Sequence, residues 1–160
     1  MHKIGPIVMT LALAVGSTLV FSAVSEAKPR GADLAVTGSP AGGETTIETD
    51  HLAAFVFTQR NRGPLATGDS ADLVLTHVRG GTIVDINCIQ PNRHSMTPDG
   101  TFCETGALAK GESARAVYVI RPSTPGALLS VTACAMNEGP VPDPVAANNC
   151  KTVTLAVFGP

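Results

Sequence analysis

Two stretches near the end of the chain alternate apolar and polar residues with a period of two. The apolar positions are Leu129, Val131 and Ala133 in the first stretch and Val153, Leu155 and Val157 in the second. Side chains of a β-strand point to opposite faces in turn, so this alternation predicts two strands with one buried face each. Turn-forming residues separate them, and Asn148 and Asn149 tolerate left-handed turn geometry. The pattern predicts a closing β-hairpin over residues 127–136 and 150–158.

Further short segments of the same kind precede this hairpin. They cover residues 32–37, 45–49, 51–59, 71–78, 82–89, 101–104 and 113–121. Residues 51–59 are apolar on both faces, which predicts a central strand covered on each side. The glycines of Arg79-Gly80-Gly81 predict a tight hairpin between two of the segments. Seven or eight short strands with 16 Gly and 12 Pro predict an all-β fold of two packed antiparallel sheets. Because Trp is absent, Phe55, Phe57 and Tyr118 are expected to be the large core side chains.

The first residues of the chain resemble an export signal. His2 and Lys3 precede an uncharged, apolar run that ends at Ser25-Glu26-Ala27, where small residues occupy the two positions a signal peptidase reads. We expect a signal peptide over residues 1–27, a single domain over residues 28–160, and secretion to the periplasm or the exterior. An uncleaved membrane anchor is the alternative, since the apolar run approaches the roughly 20 residues that a span needs.

The charge balance restricts the partners. A net charge of −2 with 15% charged residues provides no field that would attract nucleic acid or an anionic membrane. After signal cleavage we therefore expect neither of these as a partner.

All four cysteines lie beyond the predicted signal peptide. An even number of cysteines in an exported chain predicts disulfides, which persist outside the cytoplasm. Three pairings are open. We favour Cys88 with Cys103 and Cys134 with Cys150, because each pair flanks a turn-rich segment. A metal site is the alternative, but the chain lacks the Cys-x-x-Cys spacing typical of such sites.

The order of these parts resembles the bacterial immunoglobulin-like repeat family of surface and secreted proteins, which is related to the cell-adhesion-related domains of bacteria. Asn61, Gly63 and Pro64 resemble the family's Asn-x-Gly-Pro corner, where Gly permits positive φ. Residues 106–111 resemble its Gly-x-Leu-x-x-Gly link, and Asn148 and Asn149 match its turn before the last strand. The resemblance implies an immunoglobulin-like sandwich, the same disulfide pairing and an adhesion role. Relatives commonly occur as tandem copies, whereas this chain contains one copy.

No set of residues specifies a reaction. The closest acidic pair, Asp69 and Asp72, is typical of solvated turn carboxylates, and the sequence has neither a Gly-x-Ser-x-Gly elbow nor a phosphate loop. Beyond the signal segment the histidines are isolated from one another, at His51, His77 and His94. We therefore expect no catalytic residue, no metal and no cofactor.

Two groups of residues are candidates for a binding surface. The strand over residues 113–121 is expected to point Ala116, Tyr118 and Ile120 inward and the remaining side chains outward, namely Arg115, Val117, Val119 and Arg121. Unpaired backbone beside this stripe would accept a partner strand, although β-branched residues are also ordinary in strands. Arg60, Arg62 and Arg93 are a second candidate, as a basic cluster facing anionic polymers.

The sequence thus predicts a secreted, non-catalytic immunoglobulin-like module that binds a protein or a cell-envelope polymer in a structural or adhesion role. The alternative is a small secreted enzyme or enzyme inhibitor that uses the loop from Ile89 to Phe102. That loop and its border contain His94, Asp99 and Glu104. The sequence leaves the partner and the oligomeric state open.

Overall fold

The structure is a computed structural model that describes residues 30–89, 95–96 and 101–159. The predicted signal peptide lies outside the described residues. The strands are β1 (Leu34–Pro40), β2 (Thr46–Glu48), β3 (Ala53–Asn61), β4 (Ser70–Arg79), β5 (Gly81–Ile89), β6 (Ser95–Met96), β7 (Phe102–Glu104), β8 (Ser113–Pro122), β9 (Leu128–Glu138) and β10 (Cys150–Phe158). Two single 3-10 turns, Ala41–Gly43 and Ala146–Asn148, complete the regular structure of the described part. None of the helices described there is long and apolar enough to cross a membrane.

The strands form two facing sheets. One has four strands in the order β1-β3-β8-β5, and the other has six in the order β2-β10-β9-β4-β7-β6. The pairs are antiparallel except that β2 runs parallel to β10. This confirms the predicted all-β, two-sheet architecture. The described part contains ten strands rather than seven or eight. Three of them, β2, β6 and β7, are pieces of only 3, 2 and 3 residues, and β6 lies where no strand was expected.

The core lies between the two sheets and contains the expected aromatic side chains. Phe55, Phe57 and Tyr118 are fully buried, and the rings of Phe57 and Tyr118 meet edge to face with centroids 5.9 Å apart. The hydroxyl of Tyr118 on the four-stranded sheet donates a hydrogen bond over 3.1 Å to the carbonyl of Leu73 on the six-stranded sheet. Burying an aromatic side chain of this kind contributes about 1.5–3 kcal/mol. These residues therefore hold the two layers together.

Strand β3 is central in its sheet, as predicted, but it is not covered on both faces. Phe55 and Phe57 point into the core, whereas the alternate residues Ala54 and Val56 are half-buried and Leu52, just before the strand, is 48% exposed. No third sheet lies over this outer face in the part of the chain that the structure describes. The continuous apolar run over residues 51–59 therefore indicates that β3 is central in its sheet, not that a second layer covers its outer face.

The predicted hairpin at Arg79-Gly80-Gly81 is wrong. β4 belongs to the six-stranded sheet and β5 to the four-stranded sheet, so the chain crosses between layers at this point. Gly80 has a φ of 81°, and a Cβ atom there would collide with the carbonyl oxygen of Leu128. The glycine is required by both its backbone conformation and this close approach, and the same residues would also suit a hairpin.

Candidate functional site

The outer face of the four-stranded sheet has an apolar centre. Strand β8 lies between β3 and β5, and Val117 of β8 is opposite Val56 on one side and Asn87 on the other. Val119 is opposite Ala54 on one side and the exposed Asp85 on the other, in the next outward row. Val56, Val117, Val119 and Ala54 are all half-buried. They form a small, continuous aliphatic patch that no other element of the described residues covers, and it is called the valine patch below.

Two cationic side chains flank the valine patch along β8. Arg115 is opposite Thr58 and Ile89, whereas Arg121 is opposite Thr82 toward the other end of the strand, and both arginines are exposed. The structure thus brings Arg115, Val117, Val119 and Arg121 onto one outward stripe. β8 itself is hydrogen-bonded to both β3 and β5, and the sheet edge beside the stripe is the neighbouring strand β5. A partner would meet side chains on this face rather than a free strand edge.

The outer face of the six-stranded sheet differs in chemistry. The hydroxyls of Thr132 and Thr152 are 2.8 Å apart across β9 and β10, and Thr154 donates to the hydroxyl of Ser130 over 3.5 Å. These hydroxyl groups form a polar ladder at the centre of this face. Exposed apolar side chains also lie on its two strands, at Leu128 and Met136 of β9 and Phe158 of β10.

The corner at Asn61 organises one end of the sandwich. The buried side chain of Asn61 accepts hydrogen bonds from the N–H groups of Asp33 (3.2 Å) and Gly63 (3.0 Å). Its amide donates to the carbonyls of Leu65 (2.7 Å) and Leu108 (3.0 Å). One side chain therefore connects the first strand, the corner and the Gly-x-Leu-x-x-Gly link.

The reason for the glycine at this corner differs from the expectation. Gly63 does not have a positive φ, and the prediction that it does is wrong. A Cβ atom at this position would collide with the carbonyl oxygen of Gly31 and the backbone nitrogen of Asp33. Gly63 is needed because another segment of backbone passes against it, and the exposed Pro64 continues the chain from there.

The turn before the last strand is right-handed, and the expected left-handed geometry is wrong. Asn148 ends the 3-10 turn Ala146–Asn148, and Asn149 has a φ of −73°. The amide of Asn148 donates to Oδ1 of Asp33 over 2.7 Å. The carbonyl of Asn149 accepts from the N–H of Ala135 over 2.7 Å. These asparagines join the turn to the first strand and to β9.

Both expected disulfides are present, and their surroundings differ. Cys88 on β5 is bonded to Cys103 on β7, which links the two sheets through the core, and both residues are buried. Cys134 on β9 is bonded to Cys150 directly opposite on β10. Cys134 is half-buried and Cys150 is exposed. One bond therefore fastens the layers, and the other reinforces a single strand pair at the surface.

Asp72 lies near two other acidic residues, Glu104 and Glu138, in a cluster that the sequence did not indicate. The prediction that Asp72 is a solvated turn carboxylate is wrong, because its exposure is 1%. The pKa of Asp72 is raised to about 6, chiefly by burial and also by the charges of Glu138 and Glu104. Hydrogen bonds from the Thr105 backbone and the Ser70 side chain lower this pKa by less. Oδ1 of Asp72 has no hydrogen-bond partner. Strands β7 and β9 supply this environment, so no local pattern around Asp72 could have revealed it. Asp69, its predicted companion, is exposed.

The histidines do not form a catalytic arrangement among the described residues. Nδ1 of the exposed His51 lies 3.1 Å from Oε2 of Glu48 and 3.2 Å from Oδ1 of Asp50. These three residues could together present ligand atoms to a metal ion, but all lie at the surface of one turn, and the local ion pairs account for their positions. His77 is exposed on β4. His94 and Asp99 lie outside the described residues, whereas Glu104 ends β7.

Two of the three arginines expected to cluster at one end of the sandwich do so. Arg60 and Arg62 line one cavity, and Lys110 joins them there. Arg93 lies outside the described residues. The sequence did not indicate Lys110, because it is brought to the corner by the link that follows β7.

Comparison with known proteins shows a shared fold. No known sequence family and no curated protein matches the chain. Among solved structures, the CARDB domain of a Pyrococcus furiosus protein, described in complex with di-metal ions, is 15% identical with a TM-score of 0.56; the match covers 84% of this chain and all of that domain. A cohesin module from a Clostridium perfringens family 33 glycoside hydrolase is 7% identical with a TM-score of 0.55, covering 82% of this chain and 100% of the module.

These similarities confirm an immunoglobulin-like β-sandwich. At such low identity they show the fold alone, so function has to be argued from this chain's own surface.

Proposed function

We propose that this chain is an exported, non-catalytic binding module that contacts a protein partner through the valine patch on its four-stranded sheet. The observation that carries the proposal is the uncovered aliphatic centre formed by Val56, Val117 and Val119 between the exposed Arg115 and Arg121. Protein interfaces commonly have an apolar centre and a polar rim, and Arg is more frequent in them than on the rest of the surface.

The charges at the rim favour one kind of partner. Arg115 and Arg121 would be complementary to acidic side chains placed around an apolar contact. A protein surface offers both features at once, whereas a hydrophilic polymer offers only the charge. We therefore infer a protein partner, bound in a structural or adhesion role, that places acidic side chains opposite Arg115 and Arg121 and away from the exposed Asp85 beside Val119.

Further observations support the remaining parts of the proposal. The two disulfides support export, since such bonds persist outside the cytoplasm. The fold shared with the CARDB domain and the cohesin module is compatible with an adhesion role. The non-catalytic role is supported by the spacing of the described histidines, His51 on a surface turn and His77 on β4.

The test is capture of exterior and envelope proteins by the immobilised wild-type protein, with Val117→Asp as the site variant and Thr154→Asp as the control on the opposite face. A specific partner should be retained by wild type and control, and its affinity for Val117→Asp should fall by at least about tenfold. Retention that is unchanged in Val117→Asp, capture of polysaccharide alone, or turnover of a hydrolase substrate would contradict the proposal. Self-association lost in Val117→Asp would identify a second copy as the occupant instead.

A further inference from the structure

The cavity at the Asn61 corner is lined by Arg60, Asn61, Arg62, Lys110 and Gly111, and its volume is about 340 Å³. We propose that it binds an oxyanion, a carboxylate or phosphate group carried by a small ligand or by a glycan. This inference is separate from the valine patch, because it uses other residues and a different kind of interaction.

The backbone that carries the three cations is held in place. The N–H of Arg62 donates over 2.7 Å to the carbonyl of Asp33, and the N–H of Gly111 donates over 2.8 Å to the carbonyl of Asn61. The N–H of Asn61 donates over 3.0 Å to the carbonyl of Glu112. The first bond joins the corner to the segment before β1, and the other two join the end of β3 to the link before β8. The bases of the cationic side chains are therefore positioned around one opening before any ligand arrives.

Three cationic residues surround this opening, whereas Glu112 is the one acidic residue within two positions of a lining residue along the chain. Within the described part of the chain, Arg60, Arg62 and Lys110 form no ion pair. Glu112 is the nearest acidic residue in sequence, and its Oε2 accepts a hydrogen bond from the N–H of Ala109 over 2.8 Å. The chain as a whole carries a net charge of −2, so the positive charge at this opening is opposite in sign to that of the whole chain. A bound anion would relieve the mutual repulsion of the three cations.

The type of side chain and the size of the cavity define the ligand class. A guanidinium group presents a planar fork of donors that fits two oxygens of a carboxylate or phosphate, and an ammonium adds a point charge. The volume lies at the lower end of the roughly 300–1,000 Å³ typical of ligand pockets, which fits one charged group and its immediate attachment. The three cationic residues are exposed, so binding should weaken as salt screens them.

The experiment titrates the full exported protein at low ionic strength with inorganic phosphate, with trigalacturonate as a carboxylate-bearing glycan, and with maltotriose as a neutral glycan. Binding is followed by amide NMR shifts. The site variant is Arg60→Gln with Arg62→Gln. The charge-matched control is Arg79→Gln with Lys151→Gln, two exposed residues of the six-stranded sheet.

We expect at least one oxyanion to shift residues of the corner, with a loss of affinity of at least about tenfold in the site variant and little change in the control. A preference for phosphate would indicate a free anion, and a preference for trigalacturonate a glycan-borne group. No binding of either oxyanion, equal losses in both variants, or equal binding of maltotriose would overturn the proposal. Val117→Asp should leave this binding intact, so failure of the valine-patch proposal is distinguishable from failure of this one.

Discussion

The hydroxyl of Ser70 donates a hydrogen bond over 3.3 Å to Oδ2 of Asp72, a carboxylate that is almost wholly withdrawn from solvent. The same hydroxyl lies 3.4 Å from Oε2 of Glu138. One donor therefore serves two neighbouring carboxylates, and Oδ1 of Asp72 is left without a partner. Burial and the nearby charge of Glu138 favour the neutral form of Asp72, and they outweigh the Ser70 hydrogen bond, which favours the charged form.

The first prediction concerns the pH dependence of stability. Burial raises the pKa of Asp72 from 3.8 to about 6. Between these values the folded state holds a proton that the unfolded state has released, so the contribution of Asp72 to the free energy of unfolding falls as pH rises. The fall amounts to about 3 kcal/mol at most and is complete above the folded-state pKa. Urea unfolding from pH 4 to pH 7 should show Asp72→Asn gaining stability relative to wild type over this window.

The control for this prediction is Asp69→Asn, which removes an exposed carboxylate from the residue just before β4. It should change the free energy of unfolding by about 0.5 kcal/mol or less. If Asp72→Asn tracked wild type across the whole pH range, the buried, raised-pKa description of Asp72 would be wrong.

The second prediction is that the two disulfides react in a fixed order. Thiol exchange requires access to a sulfur, and the Cys134–Cys150 bond has an exposed partner whereas both ends of Cys88–Cys103 are buried. Mild reduction of the native protein followed by alkylation should label Cys134 and Cys150 first, as measured by peptide mass spectrometry. Labelling of Cys88 and Cys103 first would contradict the placement of the inter-sheet bond in the core.

The third prediction is the stabilising effect of the inter-sheet bond. The Cys88–Cys103 bond closes a loop with a separation of 15 residues, for which loop entropy alone gives about 3 kcal/mol. Replacing both cysteines by Ala also removes buried contacts, so the loss should exceed that of the matched pair Cys134→Ala with Cys150→Ala, whose separation is 16. Thermal unfolding of the two double variants measures the difference. Equal losses would show that the Cys88–Cys103 bond acts only by restricting the conformations of the unfolded chain.

The fourth prediction concerns the Asn61 corner. Asn61→Ala removes the partners of two N–H groups and two carbonyls at once, in a site where water cannot fully replace them. We expect a loss of about 2–4 kcal/mol in the free energy of unfolding. The control Asn87→Ala changes an exposed asparagine on β5 and should cost about 0.5 kcal/mol or less. A similar small cost at both positions would mean that the corner does not depend on this side chain.

Local patterns were sufficient for the parts of the fold that depend on local physics. The alternation around Val131 and Leu155 predicted the closing hairpin, because burial of one strand face imposes a period of two. The turn-rich segments between the cysteines favoured the pairing of Cys134 with Cys150, since a short chain reversal brings them opposite each other. The residues of β8 were assigned to the correct faces for the same reason.

The remaining features depend on contacts between distant segments. Gly80 suits a hairpin and a crossing between sheets equally well, and only the approach of Leu128 distinguishes them. Asp72 has the sequence surroundings of a surface carboxylate, and its burial comes from β7 and β9. Lys110 reaches the basic cavity only because the corner at Asn61 bonds to the link that carries it. Sequence spacing alone does not predict these contacts between segments that are distant along the chain.

The most direct test of the binding account is methyl NMR of the protein as its captured partner is added. The account predicts that the methyl signals of Val56, Val117 and Val119 shift or broaden, whereas those of Thr132, Thr152 and Thr154 on the opposite face do not. Perturbation centred on the threonines, with the valine signals unchanged, would contradict the claim that the module acts through its four-stranded sheet.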